Sequence, residues 1–367
     1  TNLAEKVVEN ASITSFRNAA KNVTELTGQS ISHGGVWNVV QALGEKIKED
    51  EANQVKAAQR NELCGEKEVP ILFEEADGVY INIQGKDRPN ANKKLEMKVA
   101  VAYEGWKETG NNRFELVNKI ACAGFEDAST FYKKKEAMIA REYNVDEIEM
   151  RILNGDGAAW IKHGIDDTVH YQLDPFHKHQ AVLRNVSDKG QRKTILELLG
   201  ENKIDDTLVY IEALANSVED EKEEKRLRDL YSYFNGNKYG LIPYQDRGLS
   251  IPLPPEGLVY RNLGTMEHHI CDIIAQRMKH RKASWSIKGA GNLGKLLAAK
   301  ASRRLHDVIE RFSRIVLPED KSIEIIEILS ASKAPKKDGK GKDGNIHKGQ
   351  IPFKDCAVTN GRKAIHN

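Results

Sequence analysis

Five strand-like runs crowd into one part of the chain, and their order limits the folds available to it. VPILFEEADGVYINIQG (69–85), LEMKVAVAYEGWK (95–107) and FELVNKIACAG (114–124) come first, rich in Val, Ile and aromatic residues. A helical pattern over 126–144 separates them from EIEMRILNGDG (147–157) and VHYQLD (169–174), and a second helix fits 176–186. Three strands, a helix, a strand, a short connection and a strand predict an α/β layout around a mixed sheet. Residues 188 to 235 then show only helical periodicity, ending in the charge-dense EDEKEEKRLRD, and Pro252, Pro254 and Pro255 punctuate the return. That stretch reads as a helical insertion.

Helices also precede the strand block. Leu3, Val7 and Val8 mark one amphipathic helix, and Phe16, Ala19, Ala20, Val23 and Leu26 mark a second. Thr27-Gly28-Gln29 breaks the pattern, and Ser32 suits the N-cap of a third helix carrying Val36, Val39, Val40 and Leu43. A short glycine turn between helices predicts a helix-turn-helix over 1–50, with His33 to Asn38 offered to a DNA groove. Residues 51–68 are polar and read as a linker. Further along, one helix is expected from about Thr265, capped by it, to His280, and another from about Asn292 to Arg314. KAPKKDGKGKDGNIHKG, within 333–367, has the composition of a flexible tail.

The net charge of +2 says little about partners, but its distribution says more. Between Ile273 and His306 there is no acidic residue, while Arg277, Lys279, Arg281, Lys282, Lys288, Lys295, Lys300, Arg303 and Arg304 all fall there. Such a block predicts a polyanion-binding surface. The four cysteines form no C-x-x-C pair, which fits a reduced, cytoplasmic protein. No apolar run reaches the ~18 residues of a membrane span, so no membrane partner is expected. The chain opens at Thr1 rather than Met, leaving room for an upstream segment.

GAGNLGK (289–295) imitates a nucleotide-binding loop. A dinucleotide fingerprint needs a buried strand directly before its glycines, and the preceding KHRKASWSIK is basic and follows a helix. A phosphate loop would need a hydroxyl residue where Leu296 stands. No dinucleotide is expected. The glycines are read instead as a loop that lets basic helices approach something closely.

Two aspartates stand out. Asp77 interrupts an apolar strand, where a carboxylate is costly unless paired or metal-bound. Asp156 follows the fourth strand with glycine on both sides, which permits a sharp turn. Glu267, in GTMEHHICDIIAQRMKH, offers a third carboxylate at a helix start. There it either complements the helix dipole or joins the aspartates around hard divalent cations.

At these residues the chain resembles a known family. ADGVYINIQGKD…KVAVAYEGW, ILNGDGAAWIK, LDPFHKHQAVLRN and YRNLGTMEHHICDIIAQRMKHRKASWSIKGAGNLGKL are similar to insertion-sequence transposases of the ISLre group, related to Mutator-like transposases. The resemblance implies an RNase H-like mixed-sheet core over 69–332, interrupted by a mainly helical insertion (188–256) and including the basic region 273–306. It implies a DDE triad of Asp77, Asp156 and Glu267 holding two Mg²⁺ or Mn²⁺ ions. Where Mutator relatives carry Cys-x-x-His, this chain reads Asp174-Pro175-Phe176-His177. Asp174 is therefore a rival ligand, and His177 an orienting group or a helix-start histidine bonded to backbone.

The expected function is metal-dependent DNA strand cleavage and strand transfer, with element terminal repeats and target DNA as partners in a nucleoid-associated homo-oligomer. Ser32, His33 and Asn38 would read the repeats, and Lys279, Arg281, Lys282, Lys288 and Lys295 would neutralise phosphates. The alternatives are an RNase H-like nuclease or resolvase and a non-catalytic, transposase-derived DNA-binding protein.

Overall fold

The computed structural model describes residues 2–86, 88 and 93–313, so the expected tail at 333–367 lies outside the described residues. The chain begins with α1 (Asn2–Ile13), α2 (Phe16–Thr27) and α3 (His33–Gln59). Ser15 caps α2 by accepting from the Asn18 amide, and Gly28 ends it at φ 70°, a left-handed conformation that glycine adopts without strain. Ser32 caps α3, its Oγ accepting from the Gly35 amide at 3.0 Å.

The helix-turn-helix expectation placed these helices in a domain of their own, joined by a linker. The structure differs on both points. Helix continues to Gln59, through half of the expected linker. Val7, Val8, Ala19, Val23, Val36 and Val40 share one hydrophobic core with Phe73, Val79, Ile81 and Met97 of the sheet. Gly44 lets α3 close on the helix α11 described below, since a methyl there would land inside Asn292.

The central sheet has β1 (Ile71–Asn82), β2 (Lys94–Tyr103), β5 (Ile120–Gly124), β6 (Met150–Gly155) and β7 (Val169–Leu173), with a separate hairpin of β3 (Trp106–Gly110) and β4 (Arg113–Leu116). Strand order is β5-β2-β1-β6-β7. β2 lies antiparallel to β1 and β5, whereas β6 runs parallel to β1 and β7 parallel to β6. The mixed α/β sheet expected from the pattern is present. The single run 114–124 divides into β4 and β5, with Asn118 turning the chain between them at φ 51°.

α4 (Ala128–Glu142) covers one face. After β7 come α5 (Pro175–Asn185), α6 (Lys189–Gly200), α7 (Ile204–Ser217) and α8 (Glu221–Asn235). Their Val182, Ile195, Leu199, Ile211, Leu227 and Phe234 form a second core, as an insertion with its own apolar faces should.

The chain returns through α9 (Met266–His269), a wide π-helical turn over Ile270–Ala275 and α10 (Gln276–Met278). α11 (Ile287–Ala301) and α12 (Leu305–Ser313) follow. The single helix expected over 292–314 is thus two, broken where Arg303 takes φ 56°. GAGNLGK is not a loop: it lies wholly within α11, which Ser286 caps through the Gly289 amide. Each interior glycine costs a helix about 1 kcal/mol relative to alanine, and here close packing offsets it. A Cβ on Gly294 would sit 3.0 Å from the Met97 sulfur, and one on Gly289 would collide with Trp37. What the glycines approach is the protein's own sheet and α3. Among the described residues no helix is long and apolar enough to cross a membrane.

Candidate active site

Strand register assembles the candidate site. Ala76 of β1 pairs with Gly155 of β6, and Gly155 pairs with Leu173 of β7. One residue beyond that row come Asp77, Asp156 and Asp174. Side chains in register on neighbouring parallel strands share a face, so three aspartates stand in a row across adjacent strands. One pleat below lies a second polar row, Glu75, Asn154 and Gln172, all buried.

Asp77 is 8 % exposed, although β1 is the middle strand of the sheet. Its Oδ1 accepts from the Gly78 amide at 2.7 Å, and its Oδ2 lies 3.6 Å from His177 Nε2. Asp156 sits on the turn its glycines were expected to make. Gly157 has φ 91°, and Gly155 has no room for a side chain between Ile161 and the Ala76 carbonyl. Asp156 Oδ1 accepts from the Ala158 amide at 2.8 Å, while Tyr233 of the insertion donates to the Asp156 carbonyl at 2.7 Å.

Asp174 is more committed. Its Oδ1 caps α5 by accepting from the amides of Phe176 and His177, and its Oδ2 accepts from Asn154 Nδ2 at 2.7 Å. With both oxygens engaged, it shapes the site more readily than it ligates. The backbone amide of His177 is held by the Asp174 cap, and its ring faces Asp77.

The electrostatics follow from this crowding. Burial pushes the Asp156 carboxyl above its ordinary value; repulsion from Asp77 and Asp174 adds to this, and the Ala158 amide and His177 oppose it. The hydrogen bond to Asp77 raises the His177 imidazole against the opposing effect of burial. No lysine or arginine among the described residues forms an ion pair with Glu75, Asp77, Asp156 or Asp174.

Glu267 is on the first turn of α9, exposed, and its carboxylate makes no hydrogen bond or ion pair among the described residues. Thr265 does not cap that helix with its side chain as expected; its hydroxyl donates to Glu75 instead. Among the described residues no three His, Cys, Asp or Glu side chains are grouped to hold a metal ion. The structure joins Asp77, Asp156, Asp174 and His177, whereas Glu267 is on a separate element, α9, and makes no bond to them.

Of the expected DNA contacts, Ser32, His33 and Asn38 are exposed at the start of α3, with the Ser32 hydroxyl used as the cap. Lys279 and Lys282 are exposed and have no acidic partner among the described residues, and Lys288 is exposed and pairs with Glu45 at 3.2 Å. The Arg281 side chain lies outside what is described. Lys295 requires a correction. It is 4 % exposed and ion-paired to Glu51 and Glu126, so it neutralises carboxylates inside the fold rather than phosphates outside it. Trp285 is also interior, donating to the Met278 carbonyl at 2.9 Å.

Sequence reasoning passed over Glu75 and Asn154. Each stands two residues before a singled-out aspartate, hence on the same strand face, and that spacing was the available signal.

Comparison with known proteins places the chain. The description of an uncharacterised protein family, UPF0236, matches residues 1–310, and the chain belongs to that family. A UPF0236 protein of Caldanaerobacter subterraneus subsp. tengcongensis is 25 % identical over 79 % of this chain and 57 % of its own length. Another from the same organism, whose name joins eleven designations, is 25 % identical over 79 % of this chain and 56 % of itself. A UPF0236 protein in the vanSb 3′ region of Streptococcus gallolyticus is 23 % identical over 81 % of this chain and 62 % of itself. The chain therefore spans little more than half the length of these relatives.

Proposed function

We propose that this chain is the catalytic part of a DDE-type DNA transposase with an RNase H-like core, cutting and joining DNA by metal-dependent phosphoryl transfer. The observation that carries the reading is the row of Asp77, Asp156 and Asp174 across β1, β6 and β7, with no lysine or arginine among the described residues paired to it. The sheet order, with β2 antiparallel to a central β1, and the helical insertion between β7 and α9 support it further. So does the relative whose name joins eleven designations, since a protein repeated within one genome is what copied DNA leaves behind.

The donor set suits Mg²⁺ or Mn²⁺. Both are hard cations commonly held by one or two carboxylates together with substrate phosphate oxygens and water. Among the described residues Asp156 Oδ2 has no hydrogen-bond donor, Asp77 Oδ2 faces the His177 ring, and Glu267 is unengaged on α9. A metal pair bound there would stabilise the attacking and leaving oxygens of an in-line displacement. The chain's own residues supply the rest. The Asp77 and Asp156 carboxylates would hold the cation. His177 orients Asp77 and can hold a proton at Nε2. Asn154 and the α5 amides keep Asp174 facing the row. Lys279 and Lys282 would neutralise DNA phosphates, and a homo-oligomer would bring two element ends together.

The test is cleavage of DNA flanking the coding sequence in Mg²⁺ or Mn²⁺, followed by strand joining with pre-cut 3′-hydroxyl ends. Cutting and joining by wild-type protein, lost in Asp156→Asn, supports the transposase. Cutting without joining supports a nuclease or resolvase instead. DNA binding without cutting leaves a non-catalytic binding protein and overturns the reading.

A further inference from the structure

Glu75 is the most thoroughly bonded carboxylate among the described residues, and nothing above gives it a task. It is 0 % exposed on the central strand, two residues before Asp77 and on the same face. Its Oε2 accepts from Asn154 Nδ2 at 2.9 Å and from the amides of Gly264, Thr265 and Met266 at 3.2, 3.0 and 3.1 Å. Its Oε1 accepts from the Tyr103 hydroxyl at 2.7 Å and from the Thr265 hydroxyl. With every lone pair used, it is no candidate ligand.

Its partners reveal what it does. The first amides of a helix have no partner within the helix, and a residue just before it normally supplies an acceptor. α9 has no such side-chain cap. A carboxylate reaching across from β1 takes that place, and its negative charge suits the positive end of the helix. The same Glu75 bonds Asn154, which in turn bonds Asp174. One side chain thereby links the strand bearing Asp77, the row bearing Asp156 and Asp174, and the helix bearing Glu267. Glu267 directly follows Met266, the last residue whose amide Glu75 holds.

We propose that Glu75 is a positioning residue: it caps α9 from the central strand and so sets where Glu267 stands relative to Asp77 and Asp156. This rests on the transposase reading. Burying a carboxylate is costly unless donors surround it; the six donors here fix its geometry and offset part of that cost, while burial still holds its carboxyl above the ordinary range. The π-helical turn that follows, Ile270–Ala275, belongs to a class of distortion frequent at functional sites.

The experiment compares wild type, Glu75→Gln, Thr265→Val and the conservative Thr265→Ser in three measurements: amide hydrogen exchange over 264–269, DNA affinity, and cleavage rate against Mn²⁺ concentration. Glu75→Gln and Thr265→Val should exchange faster at 264–266 and bind DNA within about twofold of wild type. They should cleave slower by about a hundredfold, the scale expected when a reacting group is displaced by an ångström. They should also need more Mn²⁺ for half-maximal rate, which a general loss of stability would not produce. Thr265→Ser keeps the hydroxyl and should behave like wild type. Should Glu75→Gln not fold, Thr265→Val carries the test. Faster exchange with unchanged cleavage and Mn²⁺ requirement overturns the inference, as does unchanged exchange. Absence of cleavage by wild type is a different result, because it overturns the transposase reading itself.

Discussion

Glu74 and Glu75 are neighbours on one strand, yet they face opposite sides of the sheet and very different company. On the α4 side Glu74 meets Lys135 and Arg151, and Arg151 also forms two 2.8 Å bonds with Glu136. Two carboxylates and two cations close that cluster within the chain. On the other side Glu75, Asp77, Asp156 and Asp174 gather with, among the described residues, only His177 as a titratable base bonded to them. Burying charge demands compensation. The first face supplies its own; on the second, hydrogen-bond donors satisfy Glu75 and Asp174, while Asp77 and Asp156 meet no lysine or arginine among the described residues. Self-neutralised charge reads as architecture, and uncompensated charge as chemistry.

Substitutions on the two faces should therefore have opposite signatures. The largest effect is expected for Asp156→Asn, with strand cleavage falling by at least about a thousandfold while DNA affinity measured by anisotropy stays within twofold. Its melting temperature should stay level or rise at neutral pH, because burial and two like charges already work against the ionised carboxylate. A large fall in melting temperature would mean that Asp156 belongs with the architectural charges. Arg151→Met should do the reverse. Breaking a buried ion cluster costs about 3–5 kcal/mol, read by urea unfolding, with cleavage per folded molecule unchanged.

Smaller effects test the basic block. Lys279→Gln and Lys282→Gln should each lower the salt slope of DNA binding by about one. Lys295→Gln should leave the slope alone and lower stability, because its partners are Glu51 and Glu126. The smallest effect is a titration. His177 should titrate above its ordinary range by NMR, and Mg²⁺ should lower that value by competing for Asp77. Because the folded value is raised, the His177–Asp77 pairing stabilises fully below the imidazole's ordinary range. That contribution is lost as pH rises through the folded value. An unchanged titration in saturating Mg²⁺ would separate Asp77 from metal binding.

The legible parts of the sequence were those governed by local physics. Strand runs and a helix cap such as Ser32 depend on residues nearby, and the sheet, the insertion and the Asp156 turn follow from them. What was missed depends on distant partners. Lys295 looked free because its compensating acids lie 244 and 169 residues away in sequence. The glycines of 289–295 looked like a loop because their reason for being in a helix is Trp37 and Met97. The row of aspartates exists only through strand register, and Glu75 acquires its partners only when residue 265, 190 positions later, folds back onto β1.

α3 carries one further consequence. Its 27 residues span about 40 Å at 1.5 Å per residue, from the exposed tip at Ser32 to a flank locked against α4 and α11. Any DNA sequence that tip contacts would be held at a set reach and angle from the aspartates, like a jig bolted to its cutter. Retargeting by exchanging the first sixty residues, as one exchanges a detachable reading head, would tear open the core that Val36, Val40 and Ile47 share with the sheet. Specificity changes would have to come from single residues at the tip, one contact at a time.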